Sequence, residues 1–253
     1  MSEIMQMLEY PALAQRTLTG LMESQADALE QAARILATTI ECGAVVQAFG
    51  TGHSRAVTLE LCSRAGGLAP MSMMAVKDLV MFGRASPELI IDPKSEREKG
   101  LAARIYELAS PGVGDAFVIV SNSGINPAIV EMAQLAKQRG HAIVAITSFR
   151  HNDQVASRDA SGAHLRDYAD VVIDNGAPAG DAAVTVADGV TVGGLSNLAG
   201  VFIAQVLVEA IARILLEHGQ QVPVFTSANV PEGDERNREL IARFADRVRP
   251  IEP

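Results

Sequence analysis

Five short, mostly apolar runs, at 45–49, 70–76, 116–120, 142–146 and 171–173, alternate along this chain with longer stretches of helical period. The run 116–120 has no polar position, the pattern of a strand covered on both faces. A helical pattern over 127–139, a stop at Gly140 and the apolar run 142–146 follow it, which together make a β-α-β unit. Further helices are predicted at 3–24, 25–40, from the turn after 49 to about residue 65, at 95–108 and at 196–218. The charges of 95–108 are placed on a solvated face, with Ile105 and Leu108 inward. The stretch 148–167 is polar and turn-rich and predicts a loop with a short helical piece. The Gly- and Asp-rich stretch 176–194 predicts either an active-site rim or a short hairpin. The expected fold is α/β: a three-layer α/β/α sandwich with a mainly parallel, flavodoxin-like sheet. Its single domain spans 1–253, with a helical extension at 1–40, a core at 41–220 and a C-terminal extension at 221–253.

Two strand ends carry the candidate chemistry. Val120 leads into Ser121-Asn122-Ser123-Gly124-Ile125-Asn126-Pro127, where Asn126 reads as an N-cap and Pro127 as the first helical residue. Free N–H groups and the positive end of the dipole at such a helix start attract an anion, and the hydroxyls of Ser121 and Ser123 add donors. The same device precedes it at Gly50-Thr51-Gly52-His53-Ser54. Ligands of parallel sheets sit beyond the carboxyl ends of strands, so two such turns point to one crevice. The first turn lacks the third glycine of a dinucleotide fingerprint, and no Gly-Lys-Ser/Thr phosphate loop is present.

These two turns, with Tyr168-Ala169-Asp170-Val171-Val172-Ile173-Asp174-Asn175-Gly176 downstream, resemble the phosphosugar-binding SIS (sugar isomerase) domain family. The second turn is similar to that of phosphoheptose isomerases, and 223–229 with Gly233-Asp234-Glu235 and Asn237 resembles a group of bacterial SIS proteins. The resemblance implies an aldose–ketose isomerase that acts on a sugar phosphate through an enediolate. The alternatives are an amino-sugar phosphate lyase or etherase, and a phosphosugar sensor without catalysis. It implies phosphate contacts from Gly52, Ser54, Ser121, Asn122, Ser123 and Asn126.

Isomerisation needs a base to move a proton between C1 and C2, and an acid or base to open the ring. Glu60, six residues after Ser54, resembles the glutamate of the isomerase domain of glucosamine-6-phosphate synthase. It is also four residues from Arg64, the spacing of a helix-surface ion pair. In phosphoheptose isomerases and N-acetylmuramic acid 6-phosphate etherases, the glutamate falls where this chain has Arg64, which cannot act as a base at neutral pH. His53 lies in the first turn. His218 resembles the late histidine that SIS isomerases use for ring opening, though a histidine also suits a helix C-terminus for dipole reasons alone. Glu209 is the second candidate base, since a charge on so apolar a helix implies a pairing or a site. Lys77, Asp78, Asp174, Asn175 and Asp181 are further polar candidates, each with an ordinary surface or turn alternative, and His141 reads as structural.

Composition narrows the partners. The net charge of −9 excludes a general nucleic-acid surface, and the first forty residues are too few and too poorly basic for a helix-turn-helix domain. No basic leader precedes an apolar run, and no uninterrupted apolar stretch reaches the roughly 20 residues of a membrane span. The expectation is a cytoplasmic protein without membrane or nucleic-acid partners. Cys42 and Cys62 have no metal-ligand spacing, and neither His151 nor His164 does; no metal and no cofactor is expected. Apolar residues nearly all round 196–218 predict burial between the sheet and another subunit. The expected assembly is therefore a homodimer or homotetramer with sites near the interface.

Overall fold

The computed structural model describes residues 2–251. Helices α1 (Glu3–Gln6), α2 (Tyr10–Ser24) and α3 (Ala26–Glu41) precede strand β1 (Val46–Gly50), which passes through a 3-10 turn (Gly52–Ser54) into α4 (Arg55–Leu61). Strand β2 (Met71–Met74) leads to α5 (Val76–Met81), α6 (Glu88–Ile91), a second 3-10 turn (Ser95–Arg97) and α7 (Leu101–Ala109). Then come β3 (Ala116–Val120), α8 (Pro127–Gln138), β4 (Ala142–Thr147), the short α9 (Phe149–Asn152) and β5 (Val171–Asp174). A hairpin of β6 (Ala182–Ala187) and β7 (Val190–Gly194), the long α10 (Ser196–Glu217) and α11 (Gly233–Phe244) complete the order.

The five central strands are all parallel, in the order β2-β1-β3-β4-β5. Alternate side chains feed two cores. Val46, Ala48, Val118, Val120, Val144 and Ile146 pack under α3, α4 and α10, whereas Phe49, Phe117, Ile119, Ile143 and Ala145 pack under α7 and α8. This is the doubly wound α/β sandwich expected. The order reverses between β1 and β3, the switch point where such sheets take their ligands.

Three elements depart from the sequence reading in instructive ways. The helix after β1 stops at Leu61 instead of near residue 65, because Gly66 and Gly67 are pulled into backbone pairing with Phe225 from the C-terminal extension. Cys62, just past the end of this helix, belongs to the core, and burial pushes its thiol far up from its ordinary value. The predicted helix 95–108 is broken: Gly100, at φ +80°, separates the 3-10 turn Ser95–Arg97 from α7. Of the two readings of 176–194, the hairpin is the one formed.

Helix α10 buries Ala199, Gly200, Ile203, Ala204, Leu207, Val208, Ile211 and Leu215. Gly200 allows the contact with α4, since a β-carbon there would stand 2.6 Å from Val57 Cγ2. Gln205, Glu209 and Leu216 lie on its exposed side. By length and composition this helix could cross a membrane, although Glu209 and Arg213 interrupt its apolar run. Within this fold it packs on α3 and α4.

Candidate functional site

Strand register sets the two turns side by side. Gly50 pairs with Val120, so the chain leaves β1 and β3 at the same level, at the carboxyl edge of the sheet and at its switch point. In the first turn Thr51 is extended and buried, His53 is exposed, and Ser54 is half-buried with no side-chain capping bond. In the second turn the buried Ser121 Oγ accepts from Gly124 N at 3.1 Å, and the half-buried Ser123 hydroxyl is engaged by none of the described residues. Gly124 is required twice over. Its φ is +64°, and a β-carbon would meet Asn152 Oδ1 at 3.0 Å.

The second turn is braced by the next β-α unit. Asn152 is buried, and its Nδ2 donates to Ser123 O at 2.9 Å, Ser148 O at 2.8 Å and Thr147 Oγ1 at 3.0 Å. Ser148 N also donates to Asn122 O. Asn122 is tied sideways, its Oδ1 accepting from Asn175 Nδ2 at 3.1 Å and its Nδ2 lying 3.4 Å from His151 Nδ1. Gly180 N points at the same Nδ1, which marks that nitrogen as the acceptor and Nε2 as the protonated one.

The two turns share one side chain. The carboxylate of Glu96, on the 3-10 turn before α7, accepts from Thr51 Oγ1 at 2.6 Å and from Asn126 Nδ2 at 2.7 Å. A β-carbon on Gly52 would stand 3.7 Å from its Oε2. Asn126 in turn accepts from Arg158 Nη1 at 2.8 Å. The backbone of Asn126 holds the expected N-cap conformation, but its side chain makes no capping bond and holds Glu96 instead. Glu131 of α8 accepts from Gly100 N and fixes the point where the Glu96 segment rejoins the fold.

Of the residues singled out in the sequence, Gly52, His53, Ser54, Ser121, Asn122, Ser123 and Asn126 are brought together at this edge. Glu60 lies on the flank of α4, paired with Arg64 and accepting from Gln205 Nε2 of α10 at 2.6 Å. Glu209 is exposed on α10 and pairs with Arg213 at 2.7 Å. His218 lies 2.5 Å from Glu41, which closes α3 just before β1; that is the amino edge, away from the turns. Asp78 caps α5 through Ala75 N, Asp181 accepts from the N–H groups of Leu195 and Ser196 at the start of α10, and Asp174 accepts from Phe149 N and Gly176 N. Sequence reasoning misses Glu96, Thr51, Asn152 and Arg158. The helical period of 95–108 places Glu96 on a solvated face, and its contacts 30 and 45 residues away leave no local pattern.

A cavity of about 570 Å³ lies elsewhere, between α11 and the residues after α4, lined by Phe225, Leu240, Ile241 and Phe244 among others. Its walls are mainly apolar and it touches neither turn.

Comparison with known proteins bears on the family and the fold. The sequence profile of the SIS domain matches residues 9–148. The chain belongs to the SIS-domain family. It is 34% identical over 237 residues to a UPF0309 protein of Halalkalibacterium halodurans, covering 93% of this chain and 96% of that protein. A UPF0309 protein of Brucella anthropi is 36% identical over 232 residues, with 91% and 92% covered. Among solved structures, phosphoheptose isomerase from Francisella tularensis superposes with a TM-score of 0.55 at 16% identity, covering 84% of this chain and 100% of that one. Phosphoheptose isomerase from Neisseria gonorrhoeae gives 0.52 at 16% identity, with 80% and 94% covered. These structural likenesses establish the shared fold.

Proposed function

We propose that this chain is an enzyme acting on a sugar phosphate, an aldose–ketose isomerase working through an enediolate, and that it is a cytoplasmic homodimer or homotetramer. The observation that carries the reading is the level pairing of Gly50 with Val120. It sets two hydroxyl-bearing strand-to-helix turns next to each other at the switch point. The ligand's phosphate would lie at the second turn, with the hydroxyls of Ser121 and Ser123 donating and Ser54 reaching from the first turn. Asn122 and Asn126 serve this site by bracing it, since both side chains are committed to protein partners. His53, exposed at the mouth, is the group proposed to assist ring opening. The phosphoheptose isomerases among the solved structures that share this fold support the ligand class.

Proton NMR in deuterated water, with a panel of hexose, pentose, heptose and amino-sugar phosphates, tests the reaction. Deuterium entering at C2 of one sugar is the expected result. An unsaturated product and a released leaving group would favour the lyase. Saturable binding with neither exchange nor elimination would make the protein a sensor.

A further inference from the structure

We propose that Glu96 is the carboxylate that carries the proton between C2 and C1, with Asn126 and Arg158 positioning it; this rests on the isomerase reading above. A base for this reaction must reach a carbon a few bonds from a phosphate held at the second turn, and the crevice between the turns is the place that satisfies this. Glu96 is the carboxylate found there: its Oε2 is bonded from the first turn through Thr51 and its Oε1 from the second through Asn126. Among the described residues no other carboxylate is hydrogen-bonded to both turns. Each of its oxygens accepts one of these bonds, and a carboxylate has room for about four, so lone pairs remain for a substrate. The bonds also hold it in one orientation before substrate arrives, which is what a positioned base requires.

The support behind it is ordered in the same direction. Arg158 donates to Asn126 Oδ1, which turns the amide so that Nδ2 faces Glu96. Asn126 is buried, so this orientation is not left to solvent. The segment carrying Glu96 is brought to the crevice by the break at Gly100, whose N–H is anchored on Glu131. Glu60, by contrast, is bonded by neither turn: its Oε1 pairs with Arg64 and accepts from Gln205 of α10, on the flank of α4.

The step balances without a co-reactant. Glu96 takes the C2 proton, the C2–H electron pair becomes the C1=C2 bond, and the carbonyl pair moves onto O1. The O2 proton then passes to O1 through solvent or His53. Glu96 returns its proton to C1, leaving the ketose carbonyl at C2.

The test compares the full-length wild type with Glu96→Gln, Glu60→Gln and Glu98→Gln, the last removing a neighbouring carboxylate that pairs with Arg104. C2 deuterium exchange is read by NMR across pH, and inorganic phosphate binding by calorimetry. The expected result is that Glu96→Gln slows exchange about 10²- to 10⁴-fold while phosphate binds as before. Glu98→Gln exchanges like the wild type. Exchange that survives in Glu96→Gln, or is lost only in Glu60→Gln, overturns the assignment and leaves the isomerase reading standing. Loss of phosphate binding together with exchange in Glu96→Gln also overturns it, making the residue a brace for the turns. A wild type that exchanges no sugar removes the isomerase reading and this assignment with it.

Discussion

The two edges of the central sheet each hold a carboxylate between chain segments, and they use it in opposite ways. At the amino edge Asp115 is sealed. It accepts from Val45 N, Gln47 Nε2 and Gly112 N, each at 2.9 Å, and from Arg247 Nη2 at 2.6 Å, and its side chain is 0% exposed. Its carbonyl accepts from His141 Nδ1 at 2.8 Å, which leaves His141 Nε2 to accept from Tyr106 at 2.7 Å. At the carboxyl edge Glu96 has two partners and is half-buried. A buried charge whose acceptor capacity is filled locks the elements around it. One whose capacity is partly filled is held in place yet can still receive a ligand.

The sharpest way to break this comparison is Asp115→Ala. Removing one side of a buried charge network should cost about 3–5 kcal/mol of stability, read in urea denaturation. Arg247→Ala should cost less, because three donors to the carboxylate remain and Arg247 is itself 39% exposed. Equal losses would show that the ion pair, not the amide donors, holds this edge.

At the other edge the losses should fall on binding. Ser123→Ala removes one donor to an anion and should weaken inorganic phosphate binding by about 1.5–3 kcal/mol in calorimetry, roughly 10- to 100-fold. Its unfolding midpoint should hardly move, because Ser123 makes no side-chain bond to the described residues. A destabilised Ser123→Ala with unchanged phosphate affinity would contradict the proposed anion site. Gly124→Ala is intermediate: the left-handed conformation alone should cost about 1–2 kcal/mol, with Asn152 crowded as well. It should lower stability and phosphate affinity together.

The smallest effect is chemical. Cys42 is exposed and Cys62 buried with its thiol pushed up, so at about pH 8 a thiol reagent should modify Cys42 alone in the folded protein. Cys62 should react after denaturation, as mass spectrometry would show. Early reaction of Cys62 would mean that the core at the end of α4 opens readily.

The sheet was legible in the sequence because its information is local. The continuous apolar run 116–120 and the stop at Gly140 specify a β-α-β unit from neighbouring residues alone. The turns were legible for the same reason, as Ser, Asn, Gly and Pro at strand ends have few other uses. The parts of the site contributed from a distance were not. Glu96 sits in a charge-rich run that fits an amphipathic helix until Gly100 takes a positive φ, and nothing near Asn126 announces that its amide will turn away from the helix it begins. His218 illustrates the converse. Its resemblance to a catalytic histidine is local, whereas its place beside Glu41 depends on how far α10 runs, about 33 Å for 22 residues.

The bracing of the second turn by Asn152 bears on how portable that turn is. Its carbonyls at Asn122 and Ser123 are held from Ser148 and Asn152, residues of the following strand-helix unit. The motif Ser121 to Pro127 is thus only the visible half of a part whose other half lies some thirty residues on. Grafted alone onto another parallel sheet, it would carry the sequence of an anion site without the struts that give it shape. The smallest transplantable piece runs from β3 to Asn175, because Arg158 N, Leu165 N and Asn175 Nδ2 also hold the turn, at Ile125 O, Gly124 O and Asn122 Oδ1.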